Sequence, residues 1–312
     1  MILEKVSCNF CNSQNHYQLF QLTDLLMGDF SETFSYVRCH DCGLIFQNPR
    51  IRIEDILKYY PENYDSYQEV NRNDSTLLGK ILRYGLRKRK NFVYEYCKSG
   101  RLLDVGCSTG DFLDEISDNG KNHQWELFGI EISEYAANIA RKKKRLNIFN
   151  STLEEANFPD EYFDVITLWD VLEHLYDPYS SLLEINRILK HGGILVIRVP
   201  NYDSLDRLIF KSSWAGWDAP RHLYVFNKKI LRAYLEKTGF SIASLKTNIG
   251  SYTTFLLSLR FFLTKKKKFG TVQSNLLSTL YSPFFRITTA PLFYVISMSG
   301  LGSLMVITSI KN

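Results

Sequence analysis

Six cysteines in 312 residues are too few for a disulfide scaffold, and four of them stand as two CxxC pairs, so oxidative crosslinking is not what holds this chain together. Proline is scarce, at 8 residues, and glycine numbers only 17, which excludes collagen-like repeats and Pro/Gly-rich disorder. A dominant charge sign is missing too. The 38 Lys and Arg against 33 Asp and Glu leave a net charge of +5, an excess that permits contact with nucleic acid or anionic lipid and compels neither. Met1 to Phe10 lacks the apolar core of a secretory signal, so the expectation is a cytoplasmic protein. Nor is there a clean membrane span. The longest uncharged stretch, Ile287 to Ile310, has the length for one but is interrupted by Pro291, Gly300, Gly302, three Thr and four Ser. What the chain does have is 45% hydrophobic residues, with 19 Tyr and 21 Phe, enough for a sizeable core or large apolar surfaces. Its length allows one large domain with an appendage, or two domains.

Cys8-Asn-Phe-Cys11 and Cys39-His-Asp-Cys42 lie near the start. A CxxC turn presents two thiolates at one edge of a tetrahedron, and two such turns complete a four-cysteine zinc site. With all four positions thiolate, no ligand position is left open, so such a metal is structural and His40 is expected to point outwards. His16 to Leu22 and Thr33 to Arg38 suit small strands between the two pairs. A ribbon of residues 1–48 buries little core, which is where a metal staple is physically expected; reduced, unliganded cysteines are the other reading.

Residues 49–96 read as a helical connector or lid. Ile51, Ile56, Leu57 and Tyr60 are spaced for one short helix; Leu77, Leu78, Ile81, Leu82 and Leu86 are spaced for a second, with Lys80, Arg83 and Arg87 to Lys90 alongside. That basic run is either a solvated face or a binding surface. Pro61 to Tyr64 and Asn71 to Asp74 read as turns or a mobile lid. From Arg101 the pattern changes to alternating strands and helices. Arg101 to Val105 is a buried-type strand, Gly106 and Gly110 bracket a turn, and Phe112, Leu113 and Ile116 begin a helix. Trp125 to Ile130 is a strand ending in Glu131, followed by a helix from Glu134 to Lys144. Tyr162 to Trp169 is a strand, Pro178 to Lys190 a helix closed by His191-Gly-Gly193, and Gly193 to Val199 a strand. A helix over Leu223 to Thr238 and a strand over Phe240 to Thr247 complete a parallel sheet with helices on both faces.

Together these residues resemble the class I S-adenosylmethionine-dependent methyltransferases, most closely the ubiquinone-biosynthesis and sugar-pathway type. The matching pieces are Leu103-Asp-Val-Gly-Cys-Ser-Thr-Gly110, Gly129-Ile-Glu-Ile132, Phe158-Pro-Asp-Glu-Tyr-Phe-Asp164, Trp169-Asp-Val-Leu-Glu-His-Leu-Tyr-Asp-Pro178 and Leu189-Lys-His-Gly-Gly193. The resemblance implies a Rossmann-like seven-stranded α/β sheet over residues 97–250 and 301–312, with S-adenosylmethionine as cofactor. It also implies roles: Asp104 organises the loop and reaches the methionine amino group, and Gly106 and Gly110 let the backbone lie against the cofactor, with Cys107 and Ser108 in the same turn. Glu131 holds the ribose, Ile132 flanks the adenine, and Asp170 contacts the methionyl end. Ser108 departs from the middle glycine of many members. Ser151-Thr152 departs from an acidic residue, leaving adenine recognition to Thr152 and the backbone near Leu153. A dinucleotide reading is disfavoured by charge, because Asp104 and Asp111 would face a doubly negative pyrophosphate, whereas a sulfonium and an ammonium tolerate them.

The acceptor calls for alignment and, if it is a hydroxyl, for a base. His174 is one candidate, with a backbone-bonded structural histidine as the alternative. His222 is another, in the Trp214 to Tyr224 loop, where Arg221 is available for an anionic group; a loop-packing role is its alternative. Asn201 and Tyr202 are weaker cleft candidates. Residues 251–300 form an apolar helical insert with Lys265 to Lys268, suited to a membrane surface, a greasy acceptor or a plain cap on the core, before a last strand over Ser303 to Ile310. The expected activity is methyl transfer to a small molecule: a sugar or glycolipid-precursor hydroxyl, or a quinone-like ring. A nucleic-acid methyltransferase gripping phosphates with ribbon and basic helix, and a non-catalytic cofactor-binding scaffold, are the alternatives. Nucleic acid is disfavoured because no (D/N)PP(Y/F) tetrapeptide occurs. Peripheral membrane contact through residues 251–300 is the other partner expectation.

Overall fold

The computed structural model describes residues 2–61, 64, 67, 76–117, 125–247, 251–265 and 279–312. In chain order the strands are β1 (Leu3–Glu4), β2 (His16–Asp24), β3 (Asp29–Cys39), β4 (Ile45–Gln47), β5 (Arg50–Ile51), β6 (Gly100–Val105), β7 (Trp125–Ile130), β8 (Leu146–Phe149), β9 (Phe163–Trp169), β10 (Leu189–Pro200), β11 (Tyr224–Val225), β12 (Phe240–Lys246) and β13 (Leu304–Lys311). The helices are α1 (Ile53–Ile56), α2 (Leu77–Tyr94), α3 (Asp111–Ser117), α4 (Glu134–Arg141), α5 (Pro178–Ile188), α6 (Leu205–Phe210), α7 (Lys228–Lys237), α8 (Ser251–Lys265) and α9 (Pro283–Met298). They divide into two units, one of residues 1–59, 199–231 and 246–306, the other of residues 60–198, 232–245 and 307–312.

The second unit is built on a seven-stranded sheet of order β12-β13-β10-β9-β6-β7-β8. β10, β9, β6, β7 and β8 run parallel through successive pairs, and the strand order reverses between β6 and β9, the place where such sheets open a crevice at their carboxyl ends. Continuous burial along these strands explains their unbroken apolar runs: Leu102, Leu103, Val165, Ile166, Leu168 and Leu195 are fully covered. The expected last strand forms as β13, and it lies inside the sheet, between β10 and β12.

Four element boundaries differ from the sequence expectation. Ile51 is not helical but pairs with Leu3 in a two-stranded sheet, so α1 is a single turn. α4 stops at Arg141, because Lys143 leaves the helix line to pair with Asp111. His191 to Gly193 does not close a helix. β10 already begins at Leu189, paired with Phe163, and these residues form the register break before Ile194. Leu223 to Val225 is extended, with β11 at Tyr224, so α7 starts only at Lys228.

The first unit carries a four-stranded sheet of order β11-β4-β3-β2. β2 and β3 form a hairpin turned at Gly28, whose φ of +70° is open to glycine at no steric cost. β11 supplies the fourth strand from residues nearly two hundred positions downstream, through Tyr224↔Phe46 and Val225↔Ile45. The Trp214 to Tyr224 loop is therefore part of the ribbon's core. The Tyr36 hydroxyl lies 2.8 and 2.6 Å from the carbonyl oxygens of Trp217 and His222, and Phe20 meets Trp217 edge to face. α8 and α9 pack on each other through Phe293, against Tyr252 and Phe255. Of the expected lysine run, only Lys265 falls within the described residues; Lys266 to Lys268 lie outside them, as do most of 62–75, including the expected turn at Asn71 to Asp74.

Candidate functional site

The carboxyl ends of β6, β7 and β9 bring the expected cofactor residues of the second unit together. β6 runs straight into the turn Gly106 to Gly110. Gly106 has φ +70°, and a Cβ there would stand 2.6 Å from Val171 Cγ2; at Gly110, φ +75°, it would meet Ala140 and Leu146 at 3.1 Å. Both positions thus need glycine for conformation and for space. Ser108 adopts φ +49° without being glycine, a left-handed backbone that costs a serine about 1–2 kcal/mol. Cys107 is buried and donates its N–H to the Ile130 carbonyl at 2.9 Å, which ties the turn to the end of β7.

At that strand end Glu131 is 6% exposed. Its Oε2 accepts from the Ser108 N–H at 2.9 Å and its Oε1 from the Ser133 N–H at 2.8 Å. Burial raises its carboxyl above the ordinary range while these backbone donors pull against it. Asn150 fixes the backbone here by donating to the carbonyls of Glu131 and Ile132. The Ile132 side chain is half exposed beside them. Thr152 is engaged in a small reciprocal cap: its N–H donates to Glu155, and its hydroxyl accepts the Glu155 N–H at 3.2 Å. Leu153 is buried.

Asp104, within β6, is 3% exposed and accepts a 2.6 Å bond from the Thr167 hydroxyl of the neighbouring β9. Burial pushes its carboxyl up to about 7, against that hydrogen bond and the nearby Arg89. Asp170 follows β9 in a left-handed conformation, φ +60°. Both its oxygens are engaged by Arg198, through Nε at 2.9 Å and through Nη2. Arg89 of α2 approaches to 3.9 Å. Burial alone would raise the Asp170 carboxyl, but Arg198 and Arg89 outweigh it and hold it below the usual range. The two guanidinium groups lie 5.5 and 5.7 Å from the Trp169 ring. Burial and the Arg198 charge bring Arg89 down to about 10.

His174 is half buried, its Nδ1 2.9 Å from the Tyr60 hydroxyl. Tyr60 begins a chain of rings through Tyr64 and Tyr67 to Tyr135, with centroids 5.3, 5.5 and 6.4 Å apart. Tyr67 is buried, and burial together with the Glu131 charge pushes its hydroxyl up to about 12. Sequence reasoning missed Arg89, Arg198, Tyr60 and Tyr67. The 60, 64, 67 spacing was a visible helical signal for the tyrosines, but nothing local marked the arginines, which stand 109 positions apart.

In the first unit, His222 is 8% exposed, and its Nδ1 meets the Gly216 carbonyl at 2.9 Å. A carbonyl only accepts, so Nδ1 carries the proton. Arg221 is not available to an anionic ligand. It is wholly buried and bound by Asp24 through two bonds of 2.8 and 2.7 Å and by Asp218. Asn201 is likewise buried and spent on the carbonyls of Gly300 and Gly302, while Tyr202 packs on Trp217. The Sγ atoms of Cys8, Cys11, Cys39 and Cys42 all lie within 4.8 Å of one another. His40 points away from them, exposed, its ring against Tyr17.

Comparisons with known proteins follow this geometry. A Mycolicibacterium smegmatis protein named probable S-adenosylmethionine-dependent methyltransferase is 28% identical over 160 residues, 50% of this chain and 59% of the relative. A demethylmenaquinone methyltransferase of Staphylococcus saprophyticus is 31% identical over 141 residues, 43% of this chain and 60% of the relative. The chain thus spans little more than half the length of these relatives. The crystal structure of a SAM-dependent methyltransferase from Archaeoglobus fulgidus shares the fold at a TM-score of 0.50 and 20% identity, covering 73% of this chain and 94% of the other. The family model described as methyltransferase domain matches residues 77–245, more than half of the protein, and the chain belongs to that family.

Proposed function

We propose that this protein transfers a methyl group from S-adenosylmethionine to a small-molecule acceptor: a hydroxyl of a sugar or glycolipid precursor, or a quinone-like ring. The observation that carries the proposal is the Glu131 carboxylate, aimed by the N–H groups of Ser108 and Ser133 beside a turn in which Gly106 has no room for a Cβ and Gly110 little. The carboxylate so oriented is an acceptor suited to ribose hydroxyls. The demethylmenaquinone methyltransferase likeness supports the ring acceptor. When bound, the cofactor supplies an electrophilic methyl on a sulfonium. The chain's own residues then hold it: Glu131 the ribose, Ile132 and Thr152-Leu153 the adenine, Asp104 the ammonium, and Arg89 with Arg198 the carboxylate. Asp170 serves the methionyl end by fixing Arg198.

His174 is the proposed base, since it shares the unit of the cofactor residues. The contact of its Nδ1 with the Tyr60 hydroxyl, at 2.9 Å, orients the ring for that role. His222 is proposed to hold its loop through Gly216. Calorimetry with S-adenosylhomocysteine is the test: binding is expected, weakened more than about tenfold in Glu131→Ala for the loss of two charge-assisted bonds. Unchanged binding in the variant, or tight binding of NADH instead, would overturn the assignment.

The four cysteines are proposed to hold a structural zinc ion. A tetrahedron of Zn–S bonds places its sulfurs about 3.8 Å apart, and the pairs Cys8–Cys42 and Cys11–Cys39 stand at 3.4 and 3.6 Å. Both turns are built alike, each followed by a left-handed residue, Asn12 at φ +59° and Gly43 at +84°. The donor set fits, and the metal's contribution is to fold a ribbon too small to hold itself.

A further inference from the structure

Trp169 ends β9 with a buried donor left over. The residue is 6% exposed, and among the described residues its Nε1–H finds no acceptor. Buried polar groups are almost always paired, so each exception asks for a physical reason. Around this indole the groups are donors or hydrocarbon. Arg198 is its register neighbour on β10, so both side chains leave the sheet on the same face. The guanidinium groups of Arg89 and Arg198 lie 5.5 and 5.7 Å from the ring, and guanidinium only donates. The Phe92 and Phe112 rings meet it at 6.4 and 5.3 Å between centroids, and an aromatic ring is at most a weak acceptor.

The acids nearby are engaged elsewhere. Asp170, the next residue, turns both its oxygens to Arg198. Arg89 stops 3.9 Å from it, beyond hydrogen-bond reach. Two cations thus share one carboxylate beside an indole N–H without an acceptor, and the group that would complete them is an anion that accepts. Asp104 narrows its kind. It pairs with Thr167, two residues before Trp169, and so lies on the same face of the sheet. Beside Asp104 and Asp170 a dianion such as phosphate would meet two acids, whereas an amino-acid end brings one carboxylate for the donors and one ammonium for the acid.

We infer that the Trp169 indole N–H is a third donor, beside Arg89 and Arg198, to the carboxylate of the methyl donor, and that it makes the pocket select ligands with an intact amino-acid end. The inference rests on the methyl-donor reading above. Its experiment is calorimetry on the full-length protein with S-adenosylhomocysteine and with the decarboxylated analogue, which keeps adenine, ribose and amine. Trp169→Phe keeps an aromatic ring and removes the N–H. It should bind S-adenosylhomocysteine about tenfold more weakly than wild type and the analogue equally well. The wild type gives a second readout that stands if the variant fails to fold. Of its four indole N–H signals in NMR spectra, one should move downfield with S-adenosylhomocysteine and stay in place with the analogue. Unchanged affinity in Trp169→Phe, an equal loss for both ligands, or four unmoved signals would overturn the inference and leave the methyl-donor reading standing. A wild type that binds no S-adenosylhomocysteine at all would sink both.

Discussion

Asp104 shows how one buried side chain sets a pH dependence. Its carboxyl, pushed up to about 7 by burial, departs from the ordinary 3.8. Between those values the folded chain keeps a proton that the unfolded chain has released, so stability falls as pH rises through that window, by up to about 1.4 kcal/mol per pH unit. Asp104→Asn removes this titration. In urea melts without methyl donor, the variant should lose less stability than wild type from about pH 4 to about pH 7. Glu131 is displaced in the same direction but is common to both proteins, so only the difference in slope is read. A variant that keeps the wild-type slope would mean the retained proton sits elsewhere. At this scale the sequence was legible where chemistry is local. Gly106, Gly110 and Glu131 declare themselves by strand, turn and strand end, whereas the Arg89–Asp170–Arg198 cluster assembles from three distant segments and leaves no local pattern.

Among the elements, the N-terminal ribbon does more than close on itself. Its β2 supplies Asp24, 2% exposed, to the buried Arg221, and its β3 supplies Tyr36 to the backbone of residues 217 and 222. Removing one partner of such a buried pair typically costs about 3–5 kcal/mol. The 214–223 loop is therefore as firm as the ribbon beneath it. The Cys8→Ser/Cys39→Ser variant should release about one zinc per chain, since a closed site needs every ligand. It should also make the 211–223 segment more sensitive to protease. Atomic spectroscopy finding the same metal content in wild type and variant would sink the zinc assignment. The sequence announced the hairpin and both cysteine turns but hid β11. Two residues carry no periodicity, and Tyr224-Val225 followed by a helix reads as the helix's first turn.

For the whole molecule, the alternation of strand and helix was legible because a parallel sheet buried on both faces must be written in apolar runs such as Phe163 to Trp169. The last strand was legible as a strand, but nothing in its residues gave its place in the sheet. β13 sits inside the sheet, with Ile307 fully buried and Lys311 donating to the Leu189 carbonyl. A chain ending at Ser299 should therefore give no cooperative unfolding transition, since β10 and β12 would each lose a neighbour; a soluble truncation with a sharp melt would refute this. The unit that holds the N-terminus is assembled from residues 1–59, 199–231 and 246–306, and that order has a consequence on the ribosome. At about 5–20 residues per second, roughly 10–50 s separate the emergence of residue 59 from that of residue 306. For about the first two thirds of that wait Asp24 has no Arg221, and β4 has no β11. All four cysteines have emerged by residue 42, so a nascent ribbon that captures metal early has a fastened end while the rest of its unit is still being synthesised.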